Sequence, residues 1–186
     1  MKNKKLLVAL ALVLVLTVTM VSAYMRKQTQ TENNTFTPAT VSCRVDETFE
    51  NNQKTNITVT NTGNYKAYIR VRLVTYWQKD DGSVVYKKSG NIPAFDYDES
   101  NWLVDQNENT YYYVLPVDPG ATVTLLPSGK YMTLTKDGNN YHQVVDVFAE
   151  AILAETVDTN TGPIADVESA WNVTVNTASG KITKIN

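Results

Sequence analysis

The chain has 186 residues and a formal net charge of −2, enough for one domain with a real core and too few for two comfortable ones. Near-balanced charge removes the electrostatic ground for nucleic-acid binding, and the single cysteine, Cys43, rules out an intrachain disulfide. Eleven Tyr with abundant Thr and Val, and few Gly or Pro, argue against a disordered chain and suit an all-β domain.

The N-terminus reads as an export signal. Lys2, Lys4 and Lys5 form a basic start, and Leu6 to Val21 is an apolar or Thr-containing run. Val21-Ser22-Ala23 then places small residues at the −3 and −1 positions of a signal-peptidase site. The run covers 16 residues, short of the roughly 20 that a spanning helix needs. Cleavage between Ala23 and Tyr24 is therefore expected, giving a secreted protein whose signal helix (residues 1–23) belongs to the precursor. Retention as an N-terminal anchor is the alternative, and membrane contact is expected only through that uncleaved segment. Residues 24–40 are polar, rich in Thr, Asn and Gln, and read as a flexible extension.

From Val41 the pattern is that of strands. VSCRV is followed by a turn-like DETFENNQ, then by KTNITVTN, which alternates through Ile57 and Val59. The turn Asn61-Thr62-Gly63-Asn64 opens the most informative stretch, NTGNYKAYIRVRLVTYW. There Ala67, Ile69, Val71, Leu73, Thr75 and Trp77 point one way, while Lys66, Tyr68, Arg70, Arg72 and Tyr76 point the other. A period of two with β-branched and aromatic residues predicts a long strand with one face in a core. Asp80-Asp81-Gly82-Ser83 predicts a hairpin turn into VVYKK. Residues 89–109 carry many turn formers and no sustained period, which predicts a long loop anchored by Trp102.

Tyr111 to Leu115, the turn Asp118-Pro119-Gly120, ATVTLL, the turn Pro127-Ser128-Gly129 and KYMTLT follow in order. Asp137 to Asn140 predicts a last turn before a second long strand, Tyr141 to Leu153. Turn signals at such short spacing predict a sandwich or barrel. No amphipathic helix is legible after the signal, so a second sheet is expected to cover the long strand. The expected domain is an antiparallel β-sandwich over residues 41–176, with residues 177–186 a C-terminal tail or edge strand.

An ordered set of motifs carries a family resemblance. A short hydrophobic signal ending near AY is followed by NTFT, by NTGNYKAYIRVRLVTYW, by YYYVLPVDPGATVTLL, by a strand ending VFAEAIL, and by AWNVTV around Trp171. Together they resemble the exported proteins processed by the SipW-type signal peptidase, which include the biofilm matrix protein TasA and the camelysin-like proteins. The resemblance spans nearly the whole chain. It departs where Leu153 stands in place of the family's frequent Gln and Asn172 in place of its Gly. It implies a jelly-roll β-sandwich of a Gram-positive cell surface or biofilm matrix, processed by a signal peptidase. It also implies fibre assembly by strand donation, with residues 24–40 as candidate donor and a second copy or a co-exported homologous subunit as partner. Thr29, Thr31 and Thr35 suit a strand, but only Tyr24, Met25 and Phe36 offer apolar anchors, so weak or partner-assisted polymerisation is expected.

The residues offer little for catalysis. Camelysin-like relatives are described as metallopeptidases, yet zinc peptidases need His and carboxylate ligands, typically two His one helical turn apart. His142 is the single histidine and there is no HExxH. No catalytic residue or cofactor is expected. A Cys43–His142 dyad is chemically possible, but a lone Cys at a strand start more often packs as a small apolar residue. The weak Ca²⁺ candidate is Asp96, Asp98, Glu99 and Asn101, which lacks the Gly of an EF-hand turn. Glu150 shares a strand face with Val144, Phe148 and Ile152, which predicts a buried carboxylate paired with Arg70 or Arg72. Trp77, Trp102 and Trp171 are expected to be structural. Tyr111 to Tyr113 suit core packing better than a carbohydrate-stacking patch. A monomeric surface adhesin and a metallopeptidase are the alternatives to the fibre subunit.

Cleavage after Ala23 predicts a mature protein beginning at or within a few residues of Tyr24. Intact-mass measurement on cell-surface extracts checks this; a mass that includes Leu6 to Val21 means an anchored protein.

Overall fold

The computed structural model describes residues 40–85, 91–138, 140–154 and 163–186. The signal segment, the cleavage positions Val21, Ala23 and Tyr24, and nearly all of the candidate donor segment lie outside the described residues. Every ladder among the described residues is antiparallel, and the chain is all-β. One sheet orders β1 (Cys43–Glu50), β2 (Gln53–Asn61) and β6 (Thr122–Leu126), with the short β7 (Met132–Thr133) beside the start of β2. The second orders β4 (Trp102–Asp105), β5 (Thr110–Tyr113), β3 (Ala67–Lys79), β9 (Tyr141–Leu153) and β8 (Lys136–Asp137). A separate hairpin pairs β10 (Val173–Asn176) with β11 (Lys181–Ile185).

Local chemistry explains where these strands turn. β1 runs straight through the stretch that reads as a turn and reverses only at Asn51-Asn52, where both residues have positive φ (52° and 60°). Two central residues with φ > 0 make the two-residue turn whose twist matches a hairpin, and Asn tolerates that conformation. At the end of β2 the chain crosses to the other sheet through Asn61, which is fully buried. Its amide donates to the carbonyls of Tyr65 and Val117 at 2.8 and 2.9 Å, while its Oδ1 accepts from the Gly63 amide. A buried amide with all three bonds made is stabilising; stripped of them it would cost a few kcal/mol. Gly63 must stay small there, because a Cβ would lie 2.3 Å from the Thr40 carbonyl oxygen.

The alternation of β3 is observed as expected. Ala67, Ile69, Val71, Leu73 and Trp77 are all buried. Ile69, Val71 and Leu73 meet Ile57, Val59, Val123, Leu125 and Leu126 of the first sheet in one core. Trp102 ties the two sheets at one side: it is 2% exposed, and its indole N–H donates to the Thr124 carbonyl on β6 at 2.8 Å.

Three expectations are corrected. The stretch 89–109 is not all loop, since Trp102–Asp105 and Thr110–Tyr113 form a hairpin whose four-residue strands are too short for a period to register. KYMTLT is not one strand: the chain leaves β2 after Thr133 and joins β9 at Lys136, so a sheet change interrupts it. A helix is also present, α1 (Pro163–Trp171). Pro at its first position, Asp166 in its first turn, Ile164, Val167 and Trp171 at helical spacing, and Asn172 at φ 53° as its C-cap are its signals.

That helix and the β10–β11 hairpin form a second cluster on the outer face of the β3 sheet. Tyr68 and Tyr112 from the sheet meet Val167, Trp171, Val173, Val175 and Ile182 there. The Tyr68 hydroxyl donates to the Gly180 carbonyl at 2.8 Å, and the Ile182 amide to the Val114 carbonyl at 2.8 Å. Residues 177–186 therefore hold an integral strand rather than a tail, with Ile182 fully buried. One end of the β3 sheet is covered on both faces.

Trp102→Ala should lower stability by about 3–5 kcal/mol, since it removes a large buried side chain and leaves the Thr124 carbonyl without its donor. Trp102→Phe should cost less. Urea denaturation of both variants checks this, and equal losses would mean that the indole hydrogen bond, not packing, dominates.

Candidate functional site

The thirteen-residue β9 pairs β3 along its whole length, from Lys79↔Tyr141 to Ala67↔Leu153. In an antiparallel strand, N–H and C=O of one residue point to the same side and those of the next to the opposite side. The Gln143 amide donates away from β3, to the Thr135 carbonyl, and the Ala154 amide donates toward it, to the Lys66 carbonyl. Even-numbered residues of β9 therefore bond β3. The backbone groups of Val145, Val147, Ala149, Ala151 and Leu153 point away from it. On that side β8 pairs only with Tyr141 and His142. Among the described residues no strand continues the ladder beyond them. β1 of the first sheet runs close to β9 here without pairing with it. Among the described residues β1 also pairs on one side alone, with β2. Among the described residues the two sheets thus present open edges on one side of the core, opposite the Trp102–Thr124 tie. Rows of unpaired N–H and C=O groups are what an added strand pairs with.

Glu150 needs a correction. It lies on the outward face of β9 with His142, Asp146 and Phe148, and its side chain is 50% exposed. The inward face is Gln143, which is buried, and Val145, Val147, Ala149 and Ala151, which pack into the core shared with the first sheet. β9 is apolar in both phases, so apolarity alone does not reveal its buried face; the three ionisable groups at even positions do. Both the Nε and an Nη of Arg70 donate to one Glu150 oxygen, at 3.0 and 2.6 Å, across the Arg70↔Glu150 register pair. The Arg70 guanidinium also sits 4.9 Å from the centroid of the Trp171 ring, which is buried. Arg72 pairs instead with Glu108 at 2.8 Å on the exposed surface. Arg70 therefore docks the helix, and Glu150 orients Arg70.

The other candidate residues fall into separate places. Cys43 is half-buried; burial and the charge of Glu150 push its thiol up from the ordinary value, the reverse of an activated nucleophile. His142 sits at the far end of β9, bonded to Gln78 at 3.3 Å and 3.6 Å from an Asp80 oxygen. The eight residue steps from His142 to Glu150 span roughly 26 Å of strand, so Cys43, which feels the charge of Glu150, and His142 form no dyad. A groove of about 250 Å³ beside His142 holds Lys54, which is buried and ion-paired with Glu47. The Ca²⁺ candidate is not assembled as a site. Asp98 accepts from Ser100 and Asn101 within its own turn, which lowers its pKa, and Asp96 pairs with Lys130 at 3.0 Å. Among the described residues no three His, Cys, Asp or Glu side chains gather as metal ligands. Trp77 is buried in the main sheet, and the tyrosine run is divided between the two cores, Tyr111 and Tyr113 with the first and Tyr112 with the second.

Compared with protein-family models, curated proteins and solved structures, the chain matches none of them.

Because Glu150 is half-exposed, Glu150→Ala should cost less than about 1 kcal/mol, the scale of a surface pair. Arg70→Ala should cost more, through its lost contact with Trp171. Denaturant melts compare the two; a loss of several kcal/mol for Glu150→Ala would mean that the carboxylate is buried after all.

Proposed function

We propose that this chain is an exported, non-enzymatic structural protein of the cell surface or extracellular matrix, a fibre subunit of the TasA-like kind. On this reading its two sheets form a jelly-roll β-sandwich, and its assembly proceeds by strand donation. The N-terminal segment after Ala23 leaves its own subunit and adds to an open edge of the next. The observation that carries the reading is the run of outward backbone groups from Val145 to Leu153 on β9. Natural β-proteins usually cover, shorten or charge such an edge. Here no strand among the described residues covers the edge from Val145 to Leu153. A donor from one subunit to the next makes a head-to-tail contact that does not close, and so builds a filament. Partners are then further copies or a co-exported homologous subunit.

The test compares a protein beginning at Tyr24 with one beginning at Thr37, and adds Ala149→Pro to the longer one. Proline at an outward-facing edge position removes the N–H that a donor would bond and spares the β3 ladder. All three should be folded by circular dichroism, and only the unmodified longer protein should form filaments by light scattering and electron microscopy. Filaments from the shorter protein would remove the donor role of residues 24–36. Failure of the longer protein to assemble at any concentration, with or without co-exported proteins, would favour the monomeric adhesin.

A further inference from the structure

Residues 91–98 lie across the β4–β5 hairpin, and this segment is held in place rather than loosely draped. The Asn91 carbonyl accepts from the Gln143 side chain at 2.8 Å, Asp96 pairs with Lys130, and Asp98 closes the turn into β4. Between the segment and the hairpin lies a cavity of about 290 Å³. Three of its walls are the rings of Phe95, Tyr97 and Tyr111, with centroids 5.2–5.8 Å apart. The side-chain amides of Gln106 and Asn109 also line it.

The polar groups here are the informative ones. Tyr111 is 8% exposed and lines the cavity. Its pKa is pushed up to about 12 by burial and by the neighbouring Tyr97, so it remains a neutral donor and acceptor. Gln106 is exposed and Asn109 half-buried, and both line the cavity with amides that can donate and accept. The cavity therefore combines ring faces with groups that donate and accept, and no charged side chain of a described residue lines it.

We infer that this cavity is a binding subsite for one ring of a neutral saccharide. An aromatic wall accepts the C–H face of a sugar ring, while amides and hydroxyls, each able to donate and accept, suit the ring's hydroxyl groups. The volume lies at the lower limit of ligand sites, about 300 Å³, which fits one ring of a longer chain rather than a whole oligosaccharide. A proline ring would use the aromatic wall but not the donors and acceptors of the amides and the Tyr111 hydroxyl. Among the described residues no cation lines the cavity to offset the carboxylate of an acidic sugar. The inference is independent of strand donation, since the cavity lies by β4 and β5, across the sheet from the β9 edge.

The test is titration of the folded protein, beginning at Thr37 so that assembly does not interfere, with neutral gluco-, galacto- and N-acetylglucosamine oligosaccharides. An acidic uronic oligomer and a proline-rich peptide serve as comparisons, with tyrosine fluorescence and NMR shifts as readouts. At least one neutral oligosaccharide should bind and perturb Tyr97 and Tyr111. Tyr97→Ala should weaken that binding about tenfold, the scale of one lost ring contact. The exposed Gln106→Ala should weaken it several-fold without changing the melt, and carries the test if Tyr97→Ala unfolds. No neutral ligand at millimolar concentration, preference for the acidic oligomer or the peptide, or binding untouched by Gln106→Ala and Tyr97→Ala would each overturn the assignment.

Discussion

The pairing of β3 with β9 governs the rest of this structure. Thirteen consecutive register pairs fix which residues of both strands face the first sheet and which face out. A slip of one residue would reverse every side chain on β9, turning Val145 and Val147 outward and Asp146 and Glu150 into the core. Charge in the core is so costly that the register is decided by those carboxylates as much as by the apolar residues. The same pairing leaves the outward backbone groups from Val145 to Leu153 without a ladder among the described residues. The order of the core and the openness of the edge thus have a common origin.

The two sides of the core are built differently. On one side, Trp102 bonds β6 from β4, and Asn61 binds the crossing at Val117, so the sheets are fastened by buried hydrogen bonds. On the other, β1 and β9 approach without a ladder. The outer face of the β3 sheet is divided in the same manner. Helix α1 and the last hairpin cover Tyr68 and Tyr112, while Val74 and Phe148 further along stay exposed. Function is proposed where the fastening ends, at the β9 edge, and where ring faces and amides line a cavity, beside Tyr111.

Much of this is legible in the sequence because β3 obeys a strict period of two over a dozen residues. Its inward set, Ala67 to Trp77, is read correctly, as are the turns at Asn61–Asn64, Asp80–Ser83, Asp118–Gly120 and Pro127–Gly129. What escapes has physical causes. Strands of four residues, such as β4, are too short for periodicity to show, and β1 hides its extended Asp46–Glu50 among polar residues on an exposed edge. The helix escapes because three apolar residues over two turns look like noise, although Pro163 and Asn172 mark its ends. Glu150 is placed on the right face, but that face is taken for the buried one, because Phe148 and Ile152 outweigh His142 and Asp146. Ion-pair partners are not legible at all: only the register shows that Arg70, not Arg72, meets Glu150.

Residue-resolved amide hydrogen exchange along β9 tests the central claim, that this edge is open and receives a donor strand, most directly. Open edges exchange quickly, and paired ones are protected by the stability of the ladder. In the unassembled subunit the amides of Phe148, Glu150 and Ile152 should exchange slowly and those of Val147, Ala149 and Ala151 quickly. Assembly should slow the second set and leave the first unchanged. Slow exchange at Val147, Ala149 and Ala151 in the free subunit, or no change in them on assembly, would contradict it.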